Sequence, residues 1–434
     1  MNERKTLTKN ENGILTIGGI TATALVKEYG TPLYVMDEKY IEDMCAVYKK
    51  TLTEVYGDGE ILYASKAFSC KAIYQTVNSM GIGADVVSIG ELFTAINAGL
   101  PMNKICFHGN NKTKKELEFA IKNNVGLIVV DAFSEVDDIE LICKDLGVKQ
   151  NVLIRINPGV EAHTHHYIQT ANIDSKFGFS ISNGQAFEIV KHVLIKENVN
   201  LKGLHCHIGS QIFDETSFKL AVNKMTDFYK FVKEELNYEF DTLNLGGGFG
   251  IWYTEGDSKK TVEDYANFIK TACSTLLSDI ESKKIKKPFL LFEPGRSIVG
   301  EAGVTLYTVG RIKNIPSMKK YLSVDGGMFD NPRFALYQAK YTVLSAEKLN
   351  ATPSEKYTIA GKCCESGDII AEDCFLPKTN EGDILAVLST GAYNYSMASN
   401  YNRNFIPPVV FVKDGKSRYV VKPQTLEDLT RNDV

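Results

Sequence analysis

Between residues 60 and 295 the chain alternates short apolar runs with amphipathic stretches. The runs are EILYAS (60–65), IGADVVS (82–88), KICFHG (104–109), VGLIVVD (125–131), NVLIRIN (151–157), NLKGLHCH (200–207), FDTLNLG (240–246) and PFLLFEPG (288–295). Most are almost continuously hydrophobic, as strands are when both faces are covered. The intervening stretches, such as KKELEFAIKNN and FKLAVNKMTDFYKFVKEEL, carry apolar residues at helical spacing. Several open on a capping-box pattern: Ser88 with Glu91, Thr113 with Glu116, Ser134 with Asp137 and Thr261 with Asp264. About eight strand–helix repeats predict a (β/α)8 TIM-like barrel over a doubly wound open sheet.

After about residue 300 the period changes. VTLYTVGRIKNI, KYLSVDGG, KYTVLSA, KYTIAGK, DILAVLST and PPVVFVKDGKSRYVV are short, alternating and turn-bounded, which predicts an all-β barrel or sandwich domain. GILTIGGI and TPLYVMD, within residues 12–36, also read as strands, followed by a helix from about 37 to 56. The N-terminal strands are expected to complete the C-terminal domain. The predicted organisation is therefore a barrel over 37–300 and a β domain built from 1–36 plus 301–434. No internal repeat, low-complexity tract or long linker interrupts it.

Composition removes some functions. The 434 residues are 24% charged and 44% hydrophobic, and 49 basic against 53 acidic side chains give a net charge of −4, so nothing suggests a nucleic-acid surface. MNERKTLTKN lacks an apolar signal core, and no run approaches the ~20 apolar residues of a membrane span. Nine cysteines without C-x-x-C spacing fit reduced thiols in the cytoplasm.

Barrels of this kind collect their chemistry at the C-terminal ends of the strands. Those ends carry Lys66, Asp85, His108, Asp131, Arg155, His207, Gly246–Gly248 and Glu293. Alone, Lys66 reads as a solvated lysine, GGG as a flexible turn, and EPGRS as a turn with a surface ion pair. Together they form an unusually polar row. HCHIGSQ leaves three readings open: a metal pair completed by HTHH (163–166), a packed imidazole, or His207 stacked on a planar ring with Ser210 near a phosphate. Hydrolase-like Asp or Glu spacing is absent, so no metal is expected. A lysine, a glycine loop and a carboxylate at one barrel mouth suit the aldehyde, phosphate and pyridine nitrogen of pyridoxal 5'-phosphate. Asp85 is counted among the cofactor contacts. In the β domain, GKCCESGD offers Cys364 as a weak acid beside Glu365, NPRFALY offers Arg333 and Tyr337, and GAYNYSMASNYN offers Tyr393.

The chain resembles the fold-type III pyridoxal-phosphate decarboxylases over essentially its whole length. The resemblance rests on YASKA, ADVVSIGEL, HGNNK, RINP, HTHHYI with DSKFGF, HCHIGSQ, GGGFGI, EPGRS, DGGM with NPRFALY, CCESGD and GAYNYSMASNYN, in that order. It implies that Lys66 binds the cofactor covalently and His207 stacks on its ring. Ser210, Gly247, Gly248 and the backbone near Gly295 and Arg296 would hold the phosphate. Glu293 would face the pyridine nitrogen, and Tyr393 would touch cofactor and substrate. It also implies a homodimer with sites between one subunit's barrel and its partner's β domain, so that Cys364, the proton donor, and Glu365 arrive from the other chain. The departures are Phe334 for a common proline, Gln338 for a common glycine, and Thr170-Ala171 for a frequent Thr-Gly. Residues 160–178 are the candidate lid.

Arg296 and Arg333 suit a carboxylate held bidentately, and Glu365 suits an ammonium. A substrate whose far end bears both groups satisfies all three. meso-2,6-Diaminopimelate has that end, whereas ornithine and arginine lack the distal carboxylate. The expected reaction is its decarboxylation to L-lysine. The alternatives are a related decarboxylase acting on ornithine, arginine or carboxynorspermidine, an amino-acid racemase, a non-catalytic cofactor carrier and a metal hydrolase.

Overall fold

Eight parallel strands close on themselves. In chain order they are Gly59–Ala64, Gly83–Val86, Ile105–Phe107, Leu127–Val130, Gln150–Asn157, Val199–His205, Thr242–Asn244 and Phe289–Phe292. Each pairs in parallel with the next, and the last pairs back onto the first, Leu290 opposite Gly59 and Phe292 opposite Ile61. This is the TIM-like barrel expected from the apolar runs. A computed structural model describes residues 7–160 and 175–434. HTHH, Thr170, Ala171 and much of the candidate lid therefore lie outside the described residues.

The barrel belongs to a unit formed by the described residues of Met44–Gly250 and Val262–Ser297. Leu62, Cys106, Val129, Leu153 and Leu291, from five different strands, pack as one buried cluster. Thr113 makes a full capping box with Glu116, and Ser88 caps its helix. The expected cap at Ser134 is absent. That helix, Phe133–Leu146, starts two residues earlier, with Ala132 in the N-cap position. Asp137, the expected reciprocal partner, instead faces His192 at 2.9 Å and Lys196 at 2.6 Å.

The second unit holds the described residues up to Asp43, with Ile251–Thr261 and Ile298–Val434. Its main sheet runs in the order Ile369–Leu376, Glu355–Ala360, Lys319–Val324, Gly303–Ile315, Leu33–Asp37, Val409–Lys413, Lys416–Val421. The N-terminal strand Leu33–Asp37 thus lies inside the C-terminal sheet, between Gly303–Ile315 and Val409–Lys413. Leu33, Val35, Val304, Leu306, Val410 and Val412 form its buried core with Leu15, Ile17 and Leu25. Leu25 sits on a helix, Ala22–Tyr29, capped by Thr21, that the strand reading of this region did not anticipate.

Candidate active site

In a strand, residues two apart share a face. Counting two on from the interior cluster, Cys106 leads to His108, Val129 to Asp131, Leu153 to Arg155 and Leu291 to Glu293. The apolar layer that fills the barrel therefore dictates a charged layer above it.

Glu293 is the centre of that layer and is only 6% exposed. His108 Nε2 lies 2.7 Å from Oε1, Asn244 Nδ2 donates to the same oxygen at 2.6 Å, and His205 Nε2 lies 3.2 Å from Oε2. Burial alone would raise this carboxyl, but the two imidazoles hold it well below the usual carboxylate range. Asp85 behaves oppositely. Burial pushes it up to about 6, with Glu293 adding to the shift and His108 and Lys66 opposing it. Its Oδ1 is buried without a hydrogen-bond partner, as is His205 Nδ1. Burial holds His205 down at about 4, so it is neutral and donates from Nε2. Arg155 is also lowered by burial, with Asp131, Glu293 and Asp85 opposing, and its guanidinium lies 4.2 Å from the Phe177 ring.

Lys66 sits just past the first strand in a single turn, Ser65–Ala67. Its neighbours Ser65 and Ala67 are buried while Lys66 is exposed. The turn is anchored by Ser65, whose hydroxyl contacts Asp85 O at 2.6 Å and Glu91 Oε2 at 2.8 Å. The Lys66 charge reaches Asp85, Glu91 and His207.

The glycine loop is tightly built in. A Cβ at Gly247 would lie 2.1 Å from Glu293 O, and one at Gly248 2.1 Å from Gly209 O. Phe249 anchors the loop by stacking on Phe268, with centroids 5.0 Å apart, and by packing against Phe218 at 5.2 Å. Asn244 joins loop and anion, because its Oδ1 accepts from Gly246 N at 2.9 Å while its amide donates to Glu293. His207 Nδ1 accepts from Gly247 N at 3.4 Å. Burial, then the Lys66 and Arg155 cations, keep His207 well below its usual range and hence neutral. Gly295 packs on Ala64, where a Cβ would lie 2.8 Å from Ala64 O, bringing Arg296 beside the turn that carries Lys66. Arg296 donates to Ser210 Oγ through Nε at 3.2 Å and Nη2 at 2.9 Å.

His205 and His207 serve different partners, Glu293 Oε2 at 3.2 Å and Gly247 N at 3.4 Å. Among the described residues, the group whose metal-ligating atoms all lie within 4.8 Å is Cys106, His108 and Glu293, and there Glu293 already accepts the hydrogen bonds just given. Lys66, Asp85, His207, Ser210, Gly247, Gly248, Glu293, Gly295 and Arg296 all lie in the barrel unit. Arg333, Tyr337, Cys364, Glu365 and Tyr393 lie in the β unit. There Arg333 is buried, its Nη1 donating to Tyr341 Oη at 2.7 Å and its Cζ 5.1 Å from the Tyr253 ring centroid. Cys364 and Glu365 are exposed, and Tyr393 is half-buried at a left-handed φ of 62°. Sequence reasoning missed Asn244 altogether; it placed His108 and Arg155 at the strand ends without giving them a role, and offered His205 only as half of a metal pair. The two-residue step from the interior layer ties His108 and Arg155 to the same inner face as Glu293.

A cationic turn, a glycine cradle with Arg296 and Ser210, and a buried anion beside orphaned polar atoms fit a phosphorylated pyridine aldehyde. The sequence model described as pyridoxal-dependent decarboxylase, pyridoxal binding domain, matches residues 39–300. The chain belongs to the pyridoxal-dependent decarboxylases and uses pyridoxal phosphate. More narrowly, it is 50% identical over 413 residues to the diaminopimelate decarboxylase of Bacillus methanolicus, covering 95% of each chain. It is 48% identical over 425 residues to that of Halalkalibacterium halodurans, covering 98% of this chain and 96% of the relative. The crystal structure of the M. jannaschii diaminopimelate decarboxylase in complex with L-lysine matches with a TM-score of 0.92 and 37% identity, covering 100% of this chain and 99% of the other.

Proposed function

We propose that this protein decarboxylates meso-2,6-diaminopimelate to L-lysine and carbon dioxide. The observation that carries the reading is Arg333, a buried guanidinium with no carboxylate partner among the described residues. A distal substrate carboxylate supplies the missing anion, and ornithine and arginine have none. The relatives' shared activity supports the same substrate.

The cofactor supplies an electron sink for the pair left when carbon dioxide departs. Lys66 would supply the amine that holds its aldehyde carbon. Glu293, kept ionised by its three donors, would keep a proton on the ring nitrogen. His207, neutral, would offer a flat face to the ring. Ser210, Gly247, Gly248, Gly295 and Arg296 would bind the phosphate, and Asp85 would be a further cofactor contact. Arg333 and Arg296 orient the substrate's far carboxylate, Glu365 its ammonium, and Tyr337 and Tyr393 line its path. Cys364 delivers the proton that replaces carbon dioxide.

The working form is a homodimer in the cytoplasm, with Cys364 and Glu365 supplied across the subunit interface. Their exposure on their own unit supports the first part, and nine free cysteines support the second. Among the described residues no helix is long and apolar enough to cross a membrane. Purified protein given meso-diaminopimelate should release equal amounts of carbon dioxide and L-lysine, and Lys66→Ala should abolish both. Release of carbon dioxide from ornithine or arginine but not from diaminopimelate overturns the assignment.

A further inference from the structure

The two adjacent cysteines of GKCCESGD are held by side chains distant in sequence. Cys363 N donates to Asp368 Oδ2 at 2.7 Å, and Cys364 N donates to Asn402 Oδ1 at 2.9 Å. Asp368 uses its other oxygen on a second turn, accepting from Met328 N at 2.6 Å. Both turns are shaped around this carboxylate: a Cβ at Gly361 would lie 2.3 Å from its oxygens, and one at Gly327 2.6 Å. The loop also closes on itself, with Glu365 N donating to Cys363 O at 2.8 Å and Asp368 N to Glu365 O at 3.1 Å.

Asn402 is unusual for a surface residue. It is exposed, yet it sits at φ 52° and ψ 26°, followed by Arg403 at φ 56°. Asparagine is among the few side chains that tolerate that region, and consecutive left-handed residues persist only where surroundings impose them. Two residues on, Asn404 Nδ2 lies 3.8 Å from Cys363 Sγ. The 402–404 segment thus touches both cysteines, although only one is presented outward. Cys363 is buried and pushed up to about 12 by burial and Asp368, while Cys364 is exposed.

We infer that Asn402 and Asp368 are positioning residues for Cys364: they pin two successive backbone N–H groups so that its thiol leaves a rigid turn in one direction. The inference rests on reading Cys364 as the proton donor. A proton donor must hold its place to within a fraction of an ångström, and small misplacements cost on the order of 10²-fold in rate. A displaced proton donor slows the proton-transfer step, so the cost falls on kcat.

The test compares Asn402→Ala, Asn402→Gly, Asn402→Asp, Asp368→Asn and Cys364→Ala as holoenzymes. Asn402→Gly keeps the backbone conformation and loses the acceptor; Asn402→Asp keeps both. Asn402→Ala and Asn402→Gly should each lower kcat about 10- to 100-fold with KM within about 3-fold, and Asn402→Asp should recover most of the rate. Asp368→Asn, which leaves Cys363 N facing an amide group, should fall between them. Iodoacetamide labelling of Cys364, read by mass spectrometry at one fixed pH, should change in rate in the Ala and Gly variants, where the turn is no longer pinned. Wild-type kcat in Asn402→Gly while Cys364→Ala is impaired overturns the positioning inference alone. Undiminished kcat in Cys364→Ala overturns the reading beneath it.

Discussion

Replacing Arg333 with methionine should separate substrate recognition from stability. Arg333 is 9% exposed, and its neighbours are Tyr341, through a 2.7 Å hydrogen bond, and the rings of Tyr253 and Tyr341, at 5.1 and 5.6 Å. Burying a cation without an anion costs several kcal/mol. The tyrosine hydrogen bond returns about 1.5–3 kcal/mol and the two rings about 1–2 kcal/mol each, so the guanidinium is close to neutral for folding. Methionine keeps much of the volume without the charge, and Tyr341 Oη retains Asn394 Oδ1 at 3.2 Å. Thermal unfolding of Arg333→Met should therefore match or exceed wild type. Two charge-assisted hydrogen bonds to a substrate carboxylate are worth about 3–6 kcal/mol, so kcat/KM for diaminopimelate should fall 10²- to 10⁴-fold. Arg333→Lys, with a charge but no planar fork, should lie between. A loss of more than about 3 kcal/mol in stability, or a kcat/KM within 10-fold of wild type, refutes the argument.

If Glu293 faces the ring nitrogen as proposed, Glu293→Gln should weaken cofactor binding and lower kcat 10- to 100-fold, since an amide cannot replace that anion; absorbance titration of the apoprotein and steady-state rates measure both. Asp330 is fully buried, and burial raises it to about 7 from 3.8 despite its bonds from Tyr307 and Gly327. Because the folded form binds this proton more tightly, its stabilising contribution is complete below about pH 4 and lost as pH rises through 7, at most about 4 kcal/mol. Urea midpoints should show that segment flattened in Asp330→Asn, and an unchanged slope would contradict it. Gln338 ends its helix at φ 53°, the left-handed position where glycine is common in the family. Gln338→Gly should raise the unfolding free energy read from urea titration by about 0.5–1 kcal/mol, with no loss of activity.

The barrel was legible because strands covered on both faces need unbroken apolar runs, and eight such runs stand in sequence. Its polar rim was legible for the same reason: Lys66, Asp85, His207 and Glu293 interrupt those runs where solvent exposure does not explain all of them. Strand Ile369–Leu376 escaped because Glu372 and Asp373 stand in its middle, and the pairing there slips in register while Asp373 adopts φ 54°. The Ser134 cap was misplaced by two residues because a capping-box pattern fixes a helix start only loosely when its acidic member has cations to answer, as Asp137 has. Asn244 and Asn402 were illegible for a different reason. Each acts on a partner 38 or more positions away, and nothing local distinguishes them from asparagines in ordinary turns.

The two buried carboxylates of the barrel mouth show how one layer supports two states. Asp85 and Glu293 both flank His108, at 3.9 and 2.7 Å. Burial penalises both anions. Glu293 receives donors from His108, His205 and Asn244, whereas Asp85 Oδ1 receives none. Donor count therefore decides which of two similar groups is a fixed anion and which holds a proton near pH 6. A neutral His205 is part of the device, since a cationic imidazole there would add charge the layer has no means to solvate. The outcome is a permanently negative carboxylate beside a carboxyl able to switch, and in the proposed function the first is the anion that would keep a ring nitrogen protonated.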